Sequence, residues 1–284
     1  MARNVRRSTP ASPRRSGAPP AAAWRFDARG RDAQARADIA VIVTTVLRPS
    51  LEAALASVFR QDFAGHLQLL VGVDRATGSV QPLLDTLAAR PARISALVLY
   101  PGYSTSARHG GLHKASDGGA LRTVLSYLAN APLLAYLDDD NEWLPNHLSS
   151  LAAAIAGFDW AYSLRWFVDQ RTGHDLCVDT WDSAGPGKGE RGGTLGGFSD
   201  VNCLMIDKTR AEAVLPLWSI PLAKWKATAD RQVFRRLCMD HPAAWSGLAT
   251  VRYAIRPSFY LWPKIRRHLA AMPRAPSLLP LDGA

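Results

Sequence analysis

The sequence contains no run of eighteen uncharged apolar residues, which argues against a transmembrane helix. Cysteine is scarce. Cys177, Cys203 and Cys238 are odd in number and far apart, so they form neither a disulfide framework nor a CxxC metal knuckle. A reducing, cytoplasmic setting is expected from this. Met1–Pro20 lacks the apolar stretch of a secretory signal peptide. Only 20% of residues are charged, which excludes a chain that is a disordered polyelectrolyte throughout. No internal repeat is visible. What is present is apolar material, 48% of 284 residues, enough for one sizeable core or two small ones.

The net charge of +10 suggests a nucleic-acid binder until the charge is located. Residues 1–37 hold nine Arg and two Asp, or +7, which leaves +3 for residues 38–284. The basic character therefore belongs mostly to a leader rich in Pro, Ser, Ala and Arg, read as solvated and disordered. Its Arg3, Arg6, Arg7, Arg14 and Arg15 offer a contact to a polyanion, an anionic membrane face included, which would make the protein peripheral to the inner side of a membrane. An Arg-rich organelle transit peptide is a third reading of the same segment. No nucleic-acid partner is expected.

Order is expected to begin near Asp38. Ile39–Thr45 (IAVIVTT) reads as a buried strand. Pro49 and Ser50 open a helix with Leu51, Leu55, Val58 and Phe59 on one face. Leu67–Val73 is a second strand ending at Asp74, Leu83–Ala89 a helix and Ile94–Tyr100 a third strand. A polar, Gly-rich loop over 101–119 precedes a helix at about 120–128. Leu133–Leu137 is a fourth strand running into Asp138-Asp139-Asp140, and Pro145 starts another helix. Strands alternating with helices imply βαβ units and a mostly parallel, Rossmann-like α/β sheet, where ligands bind at the carboxyl ends of strands. The second half reads as a hairpin (Trp160–Val168 and Asp175–Thr180), a loop with seven glycines over 183–197, a strand over Val201–Ile206, Asp207 capping a short helix, a helix at about 228–239 and a last strand over Val251–Ile255.

Three consecutive carboxylates at a strand end repel one another, and burial raises their pKa values unless a cation compensates them. A divalent metal is the simplest compensation, and oxygen ligands suit Mg²⁺ or Mn²⁺ with substrate phosphates completing the shell. A solvated acidic turn ahead of a helix is the plainer alternative. An EF-hand is excluded, since the sixth loop position is not Gly and the twelfth is not Glu.

The string LLAYLDDDNEWLPNHLSSL resembles the D-x-D segment of the inverting family-two glycosyltransferases, which have the GT-A fold. IAVIVTTVLRPSLEAALASVFRQDF is similar to their first strand and helix, LLVGVDRATG to their second strand, ALRTVLSYLANAPLLAYLDDD to the helix and strand before the metal motif, and ATADRQVFRRL to the helix start that carries the catalytic Asp. The resemblance spans about residues 38–257, in order. It implies that Asp74 contacts the nucleotide base, that Asp138 or Asp139 lies along ribose and diphosphate, that Asp140 ligates a divalent Mn²⁺ or Mg²⁺, and that Asp230 is the general base. Thr44 and Thr45 would sit near the nucleotide, and Arg122 is a candidate phosphate contact. The implied donor is a nucleotide sugar, a UDP-sugar first, and the acceptor a glycan or other hydroxyl. The sequence departs from the family's habit after the first strand, where Thr45-Val46-Leu47-Arg48 has no aromatic, and at Ala229, where Glu or Gly is frequent.

Weaker candidates are Arg108, His109, His113 and Lys114 for diphosphate, Lys188 and Arg191 on a glycine-rich mobile lid, Trp218 and Trp225 as acceptor walls, and His241 as a metal ligand. The expected organisation is a leader over 1–37, a glycosyltransferase-like domain over 38–265 with halves 38–157 and 158–265, and a tail over 266–284. Two competitors remain. A catalytically silent nucleotide-sugar or glycan-binding module would share the fold. A sugar nucleotidyltransferase would need a Gly-rich phosphate loop after the first strand, and TTVLRPSLEAAL is not one.

Overall fold

A computed structural model describes residues 21–271 except 33, 116, 117 and 221–228, with the side chains of 194 and 195 also outside the description. In chain order the elements are β1 (Ala22–Phe26), β2 (Ile39–Thr45), α1 (Leu51–Phe59), β3 (Leu67–Val73), α2 (Gln81–Ala88), β4 (Ile94–Tyr100), α3 (Gly119–Leu128), β5 (Leu133–Asp138), β6 (Asn141–Trp143) and α4 (His147–Ala154). They continue with β7 (Trp160–Asp169), β8 (Asp175–Val178), β9 (Gly185–Pro186), α5 (Gly192–Leu195), β10 (Gly197–Phe198), β11 (Leu204–Asp207), α6 (Ala229–Asp240), β12 (Ala243–Ile255) and α7 (Trp262–Ala271).

One sheet of ten strands runs β1-β4-β3-β2-β5-β11-β7-β12-β6, with β8 paired to β7. β4, β3, β2 and β5 are parallel neighbours, as β12 and β7 are, and the antiparallel pairings enter through β1, β11, β6 and β8. β2 sits at the centre of the parallel part and is buried along its whole length. Its two-residue repeat sorts it cleanly. Ile39, Val41 and Val43 face a core built with Leu51, Leu55 and Val58 of α1, Leu83 and Leu87 of α2, and Leu148 and Leu151 of α4. Ala40 and Ile42 face the other core, with Leu125 of α3, Val214, Leu215 and Trp218 of a 3₁₀ segment (Glu212–Ser219), and Val233 and Leu237 of α6. Both faces being covered explains why the strand is a continuous apolar run. A smaller cluster of Phe167, Cys177, Ile255 and Ile265 fastens α7 to β7, β8 and β12.

The three strands over Ile39–Thr45, Leu67–Val73 and Ile94–Tyr100 fall where the sequence puts them. Several elements differ. β1 lies inside the stretch read as leader, pairing antiparallel with β4 and laying Trp24 and Phe26 on the core. Five residues with two large apolar side chains are too short a pattern to stand out. The strand read over Val201–Ile206 is a 3₁₀ turn, Val201–Cys203, followed by β11. Asp207 caps a turn, accepting from the backbone N–H of Thr209 and Arg210, and the following 3₁₀ segment starts only at Glu212. The last strand is longer than read, and the glycine-rich stretch contains the small β9–β10 pair and α5. α7 continues the ordered domain through Ala271. No helix among the described residues is long and apolar enough to cross a membrane.

His147 on α4 is fully buried, stacked on Trp143 at 4.3 Å, with Nδ1 2.7 Å from the Thr250 hydroxyl. Burial pushes its pKa down to about 3 from 6.5. Between those values the unfolded chain holds a proton that the folded chain excludes. The stability contributed by neutral His147 is therefore complete above about pH 6.5 and falls by ~1.4 kcal/mol per pH unit below it. Urea midpoints at pH 7 and pH 5 should show about 2 kcal/mol more loss for the wild type than for His147→Gln. Parallel losses in the two proteins would show that His147 does not carry this pH dependence.

Candidate active site

The parallel register brings three strand ends to one edge. Thr44 pairs with Asp138 and with Gly72, Thr45 pairs with Val73, and Asp74 follows directly. Gly118, at φ 73°, opens α3 against this edge, and a Cβ there would meet the Thr44 Cβ at 2.7 Å. One turn later, α3 delivers Arg122 to the same place. The result is a cleft of about 420 Å³ lined by Thr44, Thr45, Asp74, Arg122, Asp138, Asp139, Asp140 and Asp230, together with Arg48, Asp200 and Tyr253. The residues that the family resemblance singles out for nucleotide, metal and base, with Arg122, thus line one cavity.

Asp138 is held from two sides. Arg122 Nη2 donates to its Oδ1 at 2.7 Å, and Asn202 Nδ2 donates to its Oδ2 at 3.0 Å. Asp139 turns to the other face of the sheet, accepting from the Thr45 hydroxyl at 2.6 Å and from Arg48 Nη1 at 2.8 Å. Arg48 Nη1 also donates to Asp140 Oδ2 at 2.9 Å. Burial pushes the pKa of Asp138 and of Asp140 up; Arg122 and Arg48 respectively oppose this, and the neighbouring carboxylates add to it. The sequence suggests a divalent metal as the simplest compensation for the triplet, with a solvated acidic turn as the alternative. The chain itself supplies two cations, Arg48 and Arg122, so the triplet's charge alone does not require a metal.

A divalent cation nevertheless fits one position. Among the described residues no group of three or more His, Cys, Asp or Glu is arranged to hold a metal. The Asp140 side chain, however, is 46% exposed and lines the cleft. A single carboxylate of that kind suits a Mg²⁺ or Mn²⁺ that completes its shell with phosphate oxygens and water.

Asp74 is buried and well bonded. Its Oδ2 accepts from the Ser104 hydroxyl at 2.9 Å, and its Oδ1 from the Thr105 N–H at 2.9 Å and the Thr105 hydroxyl. It therefore anchors the loop after β4. Arg122 packs on Trp218 at 5.1 Å, and its buried Nε has no partner among the described residues. Asp230 is in the first turn of α6, its Oδ1 accepting from the Arg231 N–H at 2.8 Å.

The weaker candidates divide. Arg108 and His109 line the cleft, whereas His113 and Lys114 do not. Trp218 is core, its ring 4.8 Å from Tyr136. His241 pairs with Asp159 at 2.8 Å, away from the cleft, which removes it as a metal ligand. Lys188 lies over Trp245 at 4.4 Å, and Arg191 pairs with Asp182. Trp225, Thr228 and the leader arginines Arg3 to Arg15 lie outside the described residues.

Sequence reasoning missed a buried network beneath the cleft. Arg165, 1% exposed, donates to Asp179 at 2.9 Å, Asp182 at 3.0 Å and Asp200 at 2.6 Å. Asp200 in turn accepts from Asn202 Nδ2 at 2.6 Å, and Asn202 reaches Asp138. Asp182 is shared with Arg191 of the glycine-rich segment and lies 3.9 Å from Arg231, next to Asp230. Burial pushes the Asp200 pKa up despite Arg165, whereas for Asp182 burial is outweighed by Arg165 and Arg191 and the pKa is held down. No local spacing signals this set.

A ten-stranded, mostly parallel α/β sheet with an acidic cleft at its carboxyl edge is a GT-A-like arrangement. Solved structures share this fold. S. aureus TarS 1-349 superposes with a TM-score of 0.56 at 15% identity, covering 82% of this chain and 64% of that one. The same protein in complex with UDP-GlcNAc gives 0.54 at 16% identity over 82% and 65%. The mannosyltransferase PcManGT from Pyrobaculum calidifontis, in complex with GDP-Man and Mn²⁺, gives 0.54 at 13% identity over 85% and 62%. The chain thus spans less than two thirds of the length of each. No protein-family model and no curated protein sequence matches it.

Proposed function

We propose that the protein is a glycosyltransferase that moves a sugar from a nucleoside diphosphate donor to an acceptor hydroxyl with inversion. The observation that carries this reading is the convergence of residues from separate segments, Thr44 and Thr45, Asp74, Arg122, the Asp138–Asp140 triplet and Asp230, on one cleft at the carboxyl edge of the sheet. The complexes of TarS with UDP-GlcNAc and of PcManGT with GDP-Man and Mn²⁺ support the same donor class on the same fold.

In this reading Asp74 reads the base with the acceptor capacity left on its Oδ2. Thr44, Thr45, Asp138 and Asp139 border ribose and diphosphate. Arg122 faces the diphosphate, whose leaving charge a fixed guanidinium stabilises. Asp140 would hold a divalent cation, which when bound supplies electrophilic stabilisation of the leaving diphosphate. The Asp230 carboxylate accepts the acceptor hydroxyl's proton as the oxygen bonds to the anomeric carbon and the sugar–phosphate bond breaks. A UDP-sugar is the first donor to try, and a glycan or other hydroxyl compound the acceptor. The basic leader adds a peripheral contact to anionic membrane.

The direct test is a binding and hydrolysis screen of UDP- and GDP-sugars with and without Mn²⁺. Asp140→Asn should weaken cation-dependent donor binding about tenfold or more, since one charge facing the cation is lost. Equal binding by the variant would remove Asp140 as the metal ligand, and no binding of any nucleotide sugar by the wild type would refute the function.

A further inference from the structure

The turn after β2 carries a cation to which the donor and base assignments give no role. Arg48 bridges Asp139 Oδ1 and Asp140 Oδ2 through one nitrogen, at 2.8 and 2.9 Å. Asp138 is matched separately by Arg122. One guanidinium thus serves two carboxylates, and the pair keeps a net charge of about −1.

The backbone beneath Arg48 is fixed. Leu47 has φ 63°, the only positive value at a non-glycine among the described residues. An L-residue pays steric strain there, and such strain persists only where surrounding contacts impose it. The Thr45 hydroxyl imposes it by accepting from the Leu47 N–H at 2.8 Å while donating to Asp139. The side chain is different. It is 51% exposed, lies in the cleft and is held by an ion pair whose second partner, Asp140, is 46% exposed. The Arg48–Asp140 half, which solvent reaches from both sides, is weak and exchanges readily, whereas Asp139 is only 5% exposed.

We propose that Arg48 makes the access of a divalent cation to Asp140 conditional on a nucleoside diphosphate. This rests on the nucleotide-sugar reading above. Without nucleotide, the guanidinium occupies Asp139 and Asp140 and repels a free dication. A diphosphate offers the planar guanidinium a bidentate partner of higher charge. The released Asp140 oxygen and the phosphate oxygens then form the hard donor set that such a cation takes. Nucleotide and cation strengthen each other's binding by the same factor, as linkage requires.

The test is Mn²⁺ binding to the full chain, read from the electron paramagnetic resonance of free Mn²⁺, alone and with saturating UDP or GDP. Nucleotide binding is measured alongside by calorimetry. Wild type, Arg48→Gln and Arg48→Lys are compared, with thermal unfolding to verify folding. Wild type should bind Mn²⁺ weakly alone and at least about tenfold more tightly with nucleotide. Arg48→Gln should bind Mn²⁺ alone about tenfold more tightly than wild type, bind nucleotide about ten- to a hundredfold more weakly, and show smaller coupling than wild type, the remainder coming from the phosphate oxygens on the cation. Arg48→Lys should keep part of the coupling. If Arg48→Gln binds Mn²⁺ alone no better than wild type, or loses Mn²⁺ and nucleotide together, Arg48 is only a structural ion-pair partner and the inference is overturned. If wild type binds neither UDP nor GDP with Mn²⁺ present, the nucleotide-sugar reading itself fails.

Discussion

Asp230→Asn is expected to lower turnover by ~10²–10⁴-fold, the usual contribution of a general base, or about 3–5 kcal/mol of barrier. Donor binding should be nearly unchanged, because the carboxylate acts on the acceptor's proton. Asp230 lines the cleft from the first turn of α6, and a helix N-terminus favours a negative charge there. The amide is close in shape and keeps the acceptor oxygen but cannot take the proton. The measurement is transfer to an acceptor found by screening, beside donor calorimetry. Wild-type turnover in the variant would remove Asp230 as the base, and a large loss of donor affinity would place it on the nucleotide instead.

Arg165→Met is expected to cost about 3–5 kcal/mol of folding stability, the penalty for removing one partner of a buried ion cluster. For a domain of this size that is a fall in Tm of roughly 6–20 °C. Asp179, which is fully buried, with Asp182 and Asp200, would be left sharing a site without the guanidinium that offsets their charge. Because Asp200 holds Asn202, and Asn202 holds Asp138, nucleotide binding should weaken as well. A change in Tm of under 2 °C would show that the cluster is compensated without Arg165.

The parallel half of the fold was legible because its strands are buried on both faces and read as unbroken apolar runs, as Ile39–Thr45 does. β1 was not, since an edge strand with one face on the core needs only Trp24 and Phe26. In the site, the aspartates stood out because acidic residues at strand ends are costly unless something meets them. What meets them was hidden. Asn202 lies 64 residues from Asp138 and reaches it because β11 pairs with β5. The partners of Arg165 lie 14, 17 and 35 residues away, on loops whose approach depends on the tertiary fold. Arg48 was visible in the sequence only as the last residue of a stretch that lacks the aromatic usual after the first strand. Its bond to Asp139 depends on the parallel register of β2 and β5 and on the left-handed backbone at Leu47.

The triplet Asp138-Asp139-Asp140 consists of chemically identical residues that are not interchangeable. Strand alternation sends Asp138 towards Arg122 and Asn202 on one side of the sheet and Asp139 towards Thr45 and Arg48 on the other. A residue deleted between Leu133 and Leu137 would leave three aspartates in the sequence and still invert the faces they address. The strand residues after the deletion would change cores as well, Leu137 leaving the core it shares with Ala135 for the one that holds Leu134 and Tyr136. Point changes in this strand should therefore be borne far better than one-residue insertions or deletions, and chains that diverge from this one should vary here in residue type while keeping the count of residues from Leu133 to Asp140 fixed.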